Sequence, residues 1–231
     1  MKIGGIQKVS LIDYPGKIAA TVFLSGCNFR CPWCYNRELV LPAEIKKQPS
    51  ISEKEFFKFL KEKKGLLEGA VISGGEPTLN KNLPDFIKKI KKLGYSVKLD
   101  TNGSNPDLLK SLVNRKLIDY VALDIKGPTE KYKKITGGKA DIKKIEESVD
   151  FLKKSKIDCE FRTTVVPALL KKEDILKIAE WISGAKRYYL QNVRPEKNLS
   201  PKFRKIKPYP QNYLLDIHKA ISPFFEVCQI R

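Results

Sequence analysis

The feature that most constrains this chain is an alternation. Short apolar runs suited to buried strands are followed, again and again, by stretches with helical periodicity. Residues 19–24 (AATVFL) read as a buried strand. Residues 52–63 read as a helix: Ser52-Glu53-Lys54-Glu55 forms a capping box, and Phe56, Phe57 and Leu60 share a face. The same pairing recurs as strand 70–73 with helix 83–93, whose Phe86, Ile87, Ile90 and Leu93 lie on one side before a stop at Gly94. Strand 95–99 precedes helix 106–115, and strand 120–123 precedes a helix marked by Ile142, Ile145, Val149 and Leu152. Strand 159–166 leads to helix 172–182, and strand 187–190 leads to a helix near 213–221 and a candidate strand at 225–230. About six β–α units predict a parallel sheet covered by helices. Right-handed crossovers curl such a sheet into part of a barrel. The fold class expected is α/β, a partial (β/α)6 TIM-like barrel, since a closed barrel needs about eight units.

No repeat, low-complexity stretch or Gly/Ser linker divides the 231 residues. One domain over 1–231 is expected, with a core of about 17–194 and a C-terminal extension, 195–231, holding a helix and the candidate strand. At 42% hydrophobic and 31% charged the chain is not disordered. No apolar run approaches the ~20 residues that span a bilayer, and the start, MKIGGIQKVSLIDYPG, lacks the apolar stretch of a signal peptide. A cytoplasmic protein without a membrane partner is expected.

Lys plus Arg is 45 against 26 Asp plus Glu, a net +19. Nucleic acid, an anionic membrane or an acidic protein could exploit that excess. Only eight of the 45 are Arg; the Lys are spread as pairs over most of the chain, as on thermophile surfaces.

The polar and Gly-rich motifs fall just after the strands, where parallel α/β folds build their ligand sites. The strongest is Cys27-Asn28-Phe29-Arg30-Cys31-Pro32-Trp33-Cys34, spaced C-x3-C-x2-C. Three thiolates on one short loop can hold three corners of an iron–sulfur cube and leave the fourth iron for a substrate or cofactor. The competing reading is structural zinc, which needs a fourth ligand from Cys159, Cys228 or His218. Later strands end in Gly74-Gly75-Glu76, Asp100-Thr101-Asn102-Gly103, Asp124-Ile125-Lys126, Arg162 and Gln191-Asn192-Val193-Arg194. Each has a plain alternative: GG as a tight turn with a solvated Glu76, the Asp as loop caps, and Lys126 and Arg162 paired with Asp124 or Glu160.

Taken in order, the cysteine loop with Trp33 before its third Cys, Gly74-Gly75-Glu76, Leu99-Asp100-Thr101-Asn102-Gly103 and Leu123-Asp124-Ile125-Lys126 resemble the radical S-adenosylmethionine (SAM) superfamily. Within it, Ile12-Asp13-Tyr14-Pro15-Gly16 is similar to the activating enzymes of glycyl-radical enzymes, most of all those of anaerobic ribonucleoside-triphosphate reductase. The resemblance spans about Gly5 to Arg194.

It implies a [4Fe–4S] cluster on Cys27, Cys31 and Cys34, with SAM on the open iron. It implies Trp33 and Tyr35 near adenine, and Gly74, Gly75 and Glu76 at the methionine amino group. Lys126 would face the SAM carboxylate with Arg162 nearby. Asp100, Thr101 and Asp124 resemble a monovalent-cation site, and Asn102 counts among the cofactor-binding residues. Gln191 or Arg194 takes the ribose position, where formate-lyase activases carry His. Tyr14 stands where those relatives have Gly. The implied reaction is reductive cleavage of SAM, with flavodoxin or ferredoxin as reductant. The 5′-deoxyadenosyl radical then removes hydrogen from a glycine of a partner enzyme. The rivals are a radical SAM enzyme acting on RNA or a small molecule, as in deazapurine formation, and a zinc module binding nucleic acid. The family reading favours a protein partner over nucleic acid.

Overall fold

Buried apolar runs and one-sided helices set the layout. The structure, a computed structural model, describes residues 1–231. In chain order its elements are β1 (Ile3–Ser10), β2 (Ala19–Leu24), α1 (Arg37–Val40), α2 (Pro42–Lys47), α3 (Glu53–Glu62), β3 (Gly69–Gly74), α4 (Leu83–Lys92), β4 (Ser96–Thr101) and α5 (Pro106–Asn114). Then come β5 (Tyr120–Asp124), α6 (Thr129–Ile135), α7 (Ile142–Lys154), β6 (Asp158–Val165), α8 (Lys172–Trp181), β7 (Arg187–Asn192), α9 (Gln211–Ile221) and β8 (Val227–Ile230). The strands follow one another in a sheet in sequence order. β1 is antiparallel to β2, whereas β2–β3, β3–β4, β6–β7 and β7–β8 are parallel. No helix is long and apolar enough to cross a membrane.

The chain divides into two compact units. The first comprises Met1–Asn28, Glu38–Thr101 and Asn105–Val121; the second comprises Phe29–Arg37, Asn102–Ser104 and Ala122–Arg231. In the first unit, Ala19, Ala20, Val22, Ala70, Val71, Ile72, Val97 and Leu99 are all at most 1% exposed. Strands covered on both faces read as continuous apolar runs for this reason. Helix α3 starts at the expected capping box: Glu55 N donates to Ser52 Oγ at 3.2 Å, and Ser52 N donates to Glu55 Oε2 at 2.8 Å. Its Phe56 stacks on Phe86 of α4 with centroids 5.3 Å apart. Lower in this unit Tyr14 forms a cluster with Ala19, Val71 and Tyr120. A side chain at Gly69 would stand 2.9 Å from the Tyr14 ring.

In the second unit, Ile145, Val149 and Leu152 of α7 and Ile175 and Ile178 of α8 are buried as their spacing predicts. Tyr132 of α6 meets Trp181 of α8 edge to face, centroids 6.3 Å apart.

Several outcomes differ from expectation, among them the short helices α1, α2 and α6, which the periodicity does not announce. β1 is a strand that the sequence conceals, because Gly4 and Gly5 lower its strand propensity. A side chain at Gly4 would collide with Leu39 and approach Ser25 Oγ to 2.8 Å, so packing explains at least that glycine. β4 and β7 each run two residues further than their apolar runs, to Thr101 and Asn192.

Candidate active site

In the first unit, the parallel pairing of β2 and β3 carries the site residues. Leu24 lies opposite Gly74, and the ladder continues beyond the strands: Gly75 N donates to Leu24 O at 2.8 Å and Glu76 N to Gly26 O at 2.7 Å. Gly74 has φ +121°, a region L side chains rarely adopt. A Cβ at Gly75 would collide with the Gly26 carbonyl and come within 3.2 Å of the Cys27 nitrogen. The glycine pair therefore lets one strand end lie directly against the chain that enters the cysteine loop. Cys27 itself is half-buried.

Glu76 is not solvated; it is 1% exposed. Its Oε1 accepts from Thr78 N at 3.1 Å, Thr78 Oγ1 at 2.5 Å and Thr101 Oγ1 at 2.7 Å. Burial of a carboxylate is tolerable only with such donors. The contact with Thr101 ties the end of β4 to the Gly-Gly-Glu turn. Two residues before Asp100, Lys98 is 1% exposed, and its Nζ donates to Asp100 Oδ1 at 2.6 Å.

The second unit holds the rest of the cysteine loop. Cys31 is buried and Cys34 half-buried. Cys34 N donates to Cys31 O at 3.0 Å, which closes a tight turn around Pro32 and Trp33. Trp33 is 6% exposed and Tyr35 is exposed. The loop is pinned by the C-terminal extension: Leu199 N donates to Cys34 O at 2.7 Å and Ser200 N to Pro32 O at 2.9 Å. Arg30 N donates to Thr136 O at 3.0 Å on its other flank.

The same unit contains a chain of charges. Lys126 Nζ lies 3.1 Å from Asp124 Oδ2, and Arg162 Nε lies 2.8 Å from Asp124 Oδ1. Arg162 Nη1 is 3.8 Å from Oε1 of the wholly buried Glu160. Arg231 grips both Glu160 oxygens at 3.3 Å, and its guanidinium lies 3.4 Å from the Tyr189 ring centroid. Burial pushes the Asp124 carboxyl up, but Arg162 and Lys126 outweigh it and hold it well below the usual carboxylate range. Burial lowers Lys126, but Asp124 and then Cys31 raise it above the usual lysine range, so its ammonium feels the cysteine loop.

Both sequence expectations for Lys126 and Arg162 thus acquire a partner in Asp124, and Arg162 adds Glu160. Asn102 Oδ1 accepts from Ser104 N at 2.9 Å, a local turn cap. Gln191 sits on β7 opposite Thr164, and Arg194 is exposed. Lys98 and Arg231 were not singled out from the sequence. The i, i+2 opposite charges of Lys98 and Asp100 in an otherwise apolar strand were the available signal. Arg231 has none, since only the β6–β7 and β7–β8 registers together bring it to Glu160. No three His, Cys, Asp or Glu side chains are gathered closely enough to hold a metal ion as they stand.

Comparison with known proteins supplies the family. The Radical SAM superfamily model matches residues 21–182. A protein of Methanocaldococcus jannaschii, provisionally named a glycyl-radical enzyme activating enzyme, is 35% identical over 99% of this chain and 95% of its own length. The 7-carboxy-7-deazaguanine synthase of Thermococcus kodakarensis is 26% identical over 78% of this chain and 76% of its own. Among solved structures, Streptococcus suis SuiB bound to S-adenosylmethionine superposes with a TM-score of 0.68 at 14% identity. That match covers 91% of this chain and about half (51%) of SuiB, and it shows a shared α/β fold, the partial barrel anticipated from the alternation of strands and helices. With a family match over most of its length and a relative aligned almost end to end, the chain belongs to the radical SAM superfamily and is an enzyme of radical chemistry.

Proposed function

We propose that this enzyme is an activase: it cleaves SAM reductively at a [4Fe–4S] cluster and generates a glycyl radical on a partner enzyme, anaerobic ribonucleoside-triphosphate reductase. The observation that carries the activase reading is the 35% identity to the M. jannaschii relative over nearly the whole of both chains. The choice of reductase as partner rests on the segment SLIDYPG at 10–16.

The donor set fits the cluster. Cys27, Cys31 and Cys34 are in no disulfide, and three thiolates leave one iron for a ligand that is not protein. The hydrogen bonds from Leu199 and Ser200 hold the backbone of that loop. When bound, cluster and SAM supply a one-electron bond cleavage that yields a radical able to take hydrogen from carbon. The protein's share is holding and orienting. Gly74, Gly75 and Glu76 offer a close-packed turn for the methionine amino end. Lys126 and Arg162 offer cationic groups for its carboxylate. The five linked groups Lys126, Arg162, Arg231, Asp124 and Glu160 sum to one positive charge, which suits an anionic guest. Trp33 and Tyr35 are assigned to adenine, and Gln191 or Arg194 to ribose. Flavodoxin or ferredoxin is the expected electron donor.

A second reading, deazapurine formation from a small molecule, is favoured by the similarity to the T. kodakarensis synthase. One experiment separates them. The protein is reconstituted with iron and sulfide without oxygen, reduced and given SAM, alone and with the reductase. The activase reading expects 5′-deoxyadenosine together with a glycyl-radical signal on the reductase by electron paramagnetic resonance. SAM cleavage that leaves the reductase silent would overturn the partner. Normal SAM cleavage by Cys27→Ala would overturn the ligand assignment.

A further inference from the structure

We infer that Lys98 is a built-in cation serving Asp100, so that this enzyme needs no monovalent metal ion at the position where the family resemblance implies one. The register of β4 sets the arrangement. Lys98 lies opposite Val71 and, with Thr21 opposite Val71 in turn, belongs to one row of the first unit. Asp100 is two residues on and projects to the same face. The Lys98 stem is buried in the row that holds Val71, and its ammonium lies 5.9 Å from the Tyr120 ring centroid, within cation–π range. From there Nζ reaches Asp100 Oδ1 at 2.6 Å, a short charge-assisted bond.

Burial of a side chain only 1% exposed is offset by such a partner. The carboxylate in turn has a fixed positive charge at hydrogen-bond distance. A metal ion bound to that same oxygen would meet the ammonium as a like charge. The donor set therefore does not fit a monovalent cation at Asp100, although the neighbouring Thr101 and the strand-end position match the family pattern. The end of β4 has a second tie beside this pair. Thr101, the next residue, donates to Glu76 Oε1 at 2.7 Å, so the direction of the Asp100 segment is passed to the Gly-Gly-Glu turn. Lys98 is a positioning residue in this account, acting through Asp100.

The inference rests on the site residues of the superfamily, not on the glycyl-radical partner, and its test uses the metal-free protein as well as the reconstituted enzyme. Melting temperature is measured in choline, sodium, potassium and propylammonium chloride at equal ionic strength. The wild type should melt at the same temperature in all four. Lys98→Ala should melt roughly 5–10 °C lower in choline, from loss of one partner of a buried pair. Propylammonium replaces the deleted carbons and charge, so it should restore much of that loss saturably, as should potassium or sodium to a smaller extent. Lys98→Ala/Asp100→Asn should show no such ion response. A folded Lys98→Ala that responds to none of the cations would overturn the inference. A measurement on the wild type alone covers the case in which the variant does not fold. SAM cleavage and melting that are equal in choline and potassium support the built-in cation; saturable stimulation by potassium or sodium overturns it.

Discussion

Gly75 has no room for a side chain, and the obstruction is the carbonyl of Gly26, the residue before Cys27. Backbone cannot swing aside as the end of a flexible side chain can, so Gly75→Ala must displace the entry to the cysteine loop. The expected outcome is a protein that folds with a lowered melting temperature and, after reconstitution, carries less than half the iron of wild type. Full iron content in a folded Gly75→Ala would show that the close approach is unrelated to the cluster. The two remaining cysteines behave differently. Burial pushes the Cys159 and Cys228 thiols up to about 11. At pH 8 their thiolate population is then roughly two orders of magnitude below that of a free cysteine. In a Cys27/Cys31/Cys34→Ser variant, iodoacetamide should label these two correspondingly slowly, with a rate that climbs as pH is raised toward 11. Labelling at the rate of free cysteine would contradict the burial that the fold assigns them.

Among the elements, segment 195–205 shows how a region without catalytic residues can govern the site. Asn198 is wholly buried; its Nδ2 donates to Phe203 O at 3.1 Å, and its own carbonyl accepts from Arg204 Nε at 2.9 Å. The next two residues are those whose amides hold Cys34 and Pro32. Asn198→Ala should therefore speed loss of iron to a chelator several-fold. Ser52→Ala, which removes only the cap of α3, should cost about 1 kcal/mol and lower the melting temperature by about 2–4 °C without changing that rate. Equal chelation rates in both variants would count against the buttress. The contrast also explains what could be read in advance. Helix α3 announced itself because its cap and apolar face are local. Helices α4, α7 and α8 and strands β2, β3, β5 and β6 were legible within about two residues for the same reason. Strand β1 was hidden by Gly4 and Gly5, of which the neighbouring Leu39 and Ser25 require Gly4. The cysteine loop, the Gly-Gly-Glu turn and the strand-end aspartates were visible as motifs. Of their supports, Glu160 with Arg231 depends on which strands lie side by side, and the hold of Leu199 and Ser200 on the cysteine loop depends on the path of the extension; spacing along the chain carries neither. Lys98 with Asp100 and Thr78 with Glu76 are two residues apart, and there only the burial was hidden.

At the scale of the whole molecule, charge decides both the pH window and the response to salt. Asp124 is held below its ordinary range, so its stabilisation is complete above the free carboxylate value of about 4 and is lost as pH falls from there. Lys126 is held above its ordinary range, so its share is complete below about 10 and is lost as pH rises further. The contribution of this pair should be flat between these limits. Asp124→Asn should lower the melting temperature at pH 7, since it removes the carboxylate that faces Lys126 and Arg162, and should decline less steeply than wild type between pH 5 and pH 3; parallel acid limbs would assign the loss to other carboxylates. The surplus of 45 basic over 26 acidic residues acts at longer range. Many surface acids are already paired, as Asp85 with Lys88, Asp119 with Lys91, Glu130 with Lys177 and Asp216 with Lys172. The unbalanced charge is therefore mostly lysine, spread along the chain. If part of it guides an acidic partner, the rate of glycyl-radical formation at limiting reductase should fall about tenfold between 50 and 300 mM KCl, as steered encounters do. Cleavage of SAM without the partner involves no such encounter and should change little over the same range. A radical yield as indifferent to salt as uncoupled cleavage would return the lysines to the role of a dispersed, thermophile-like surface.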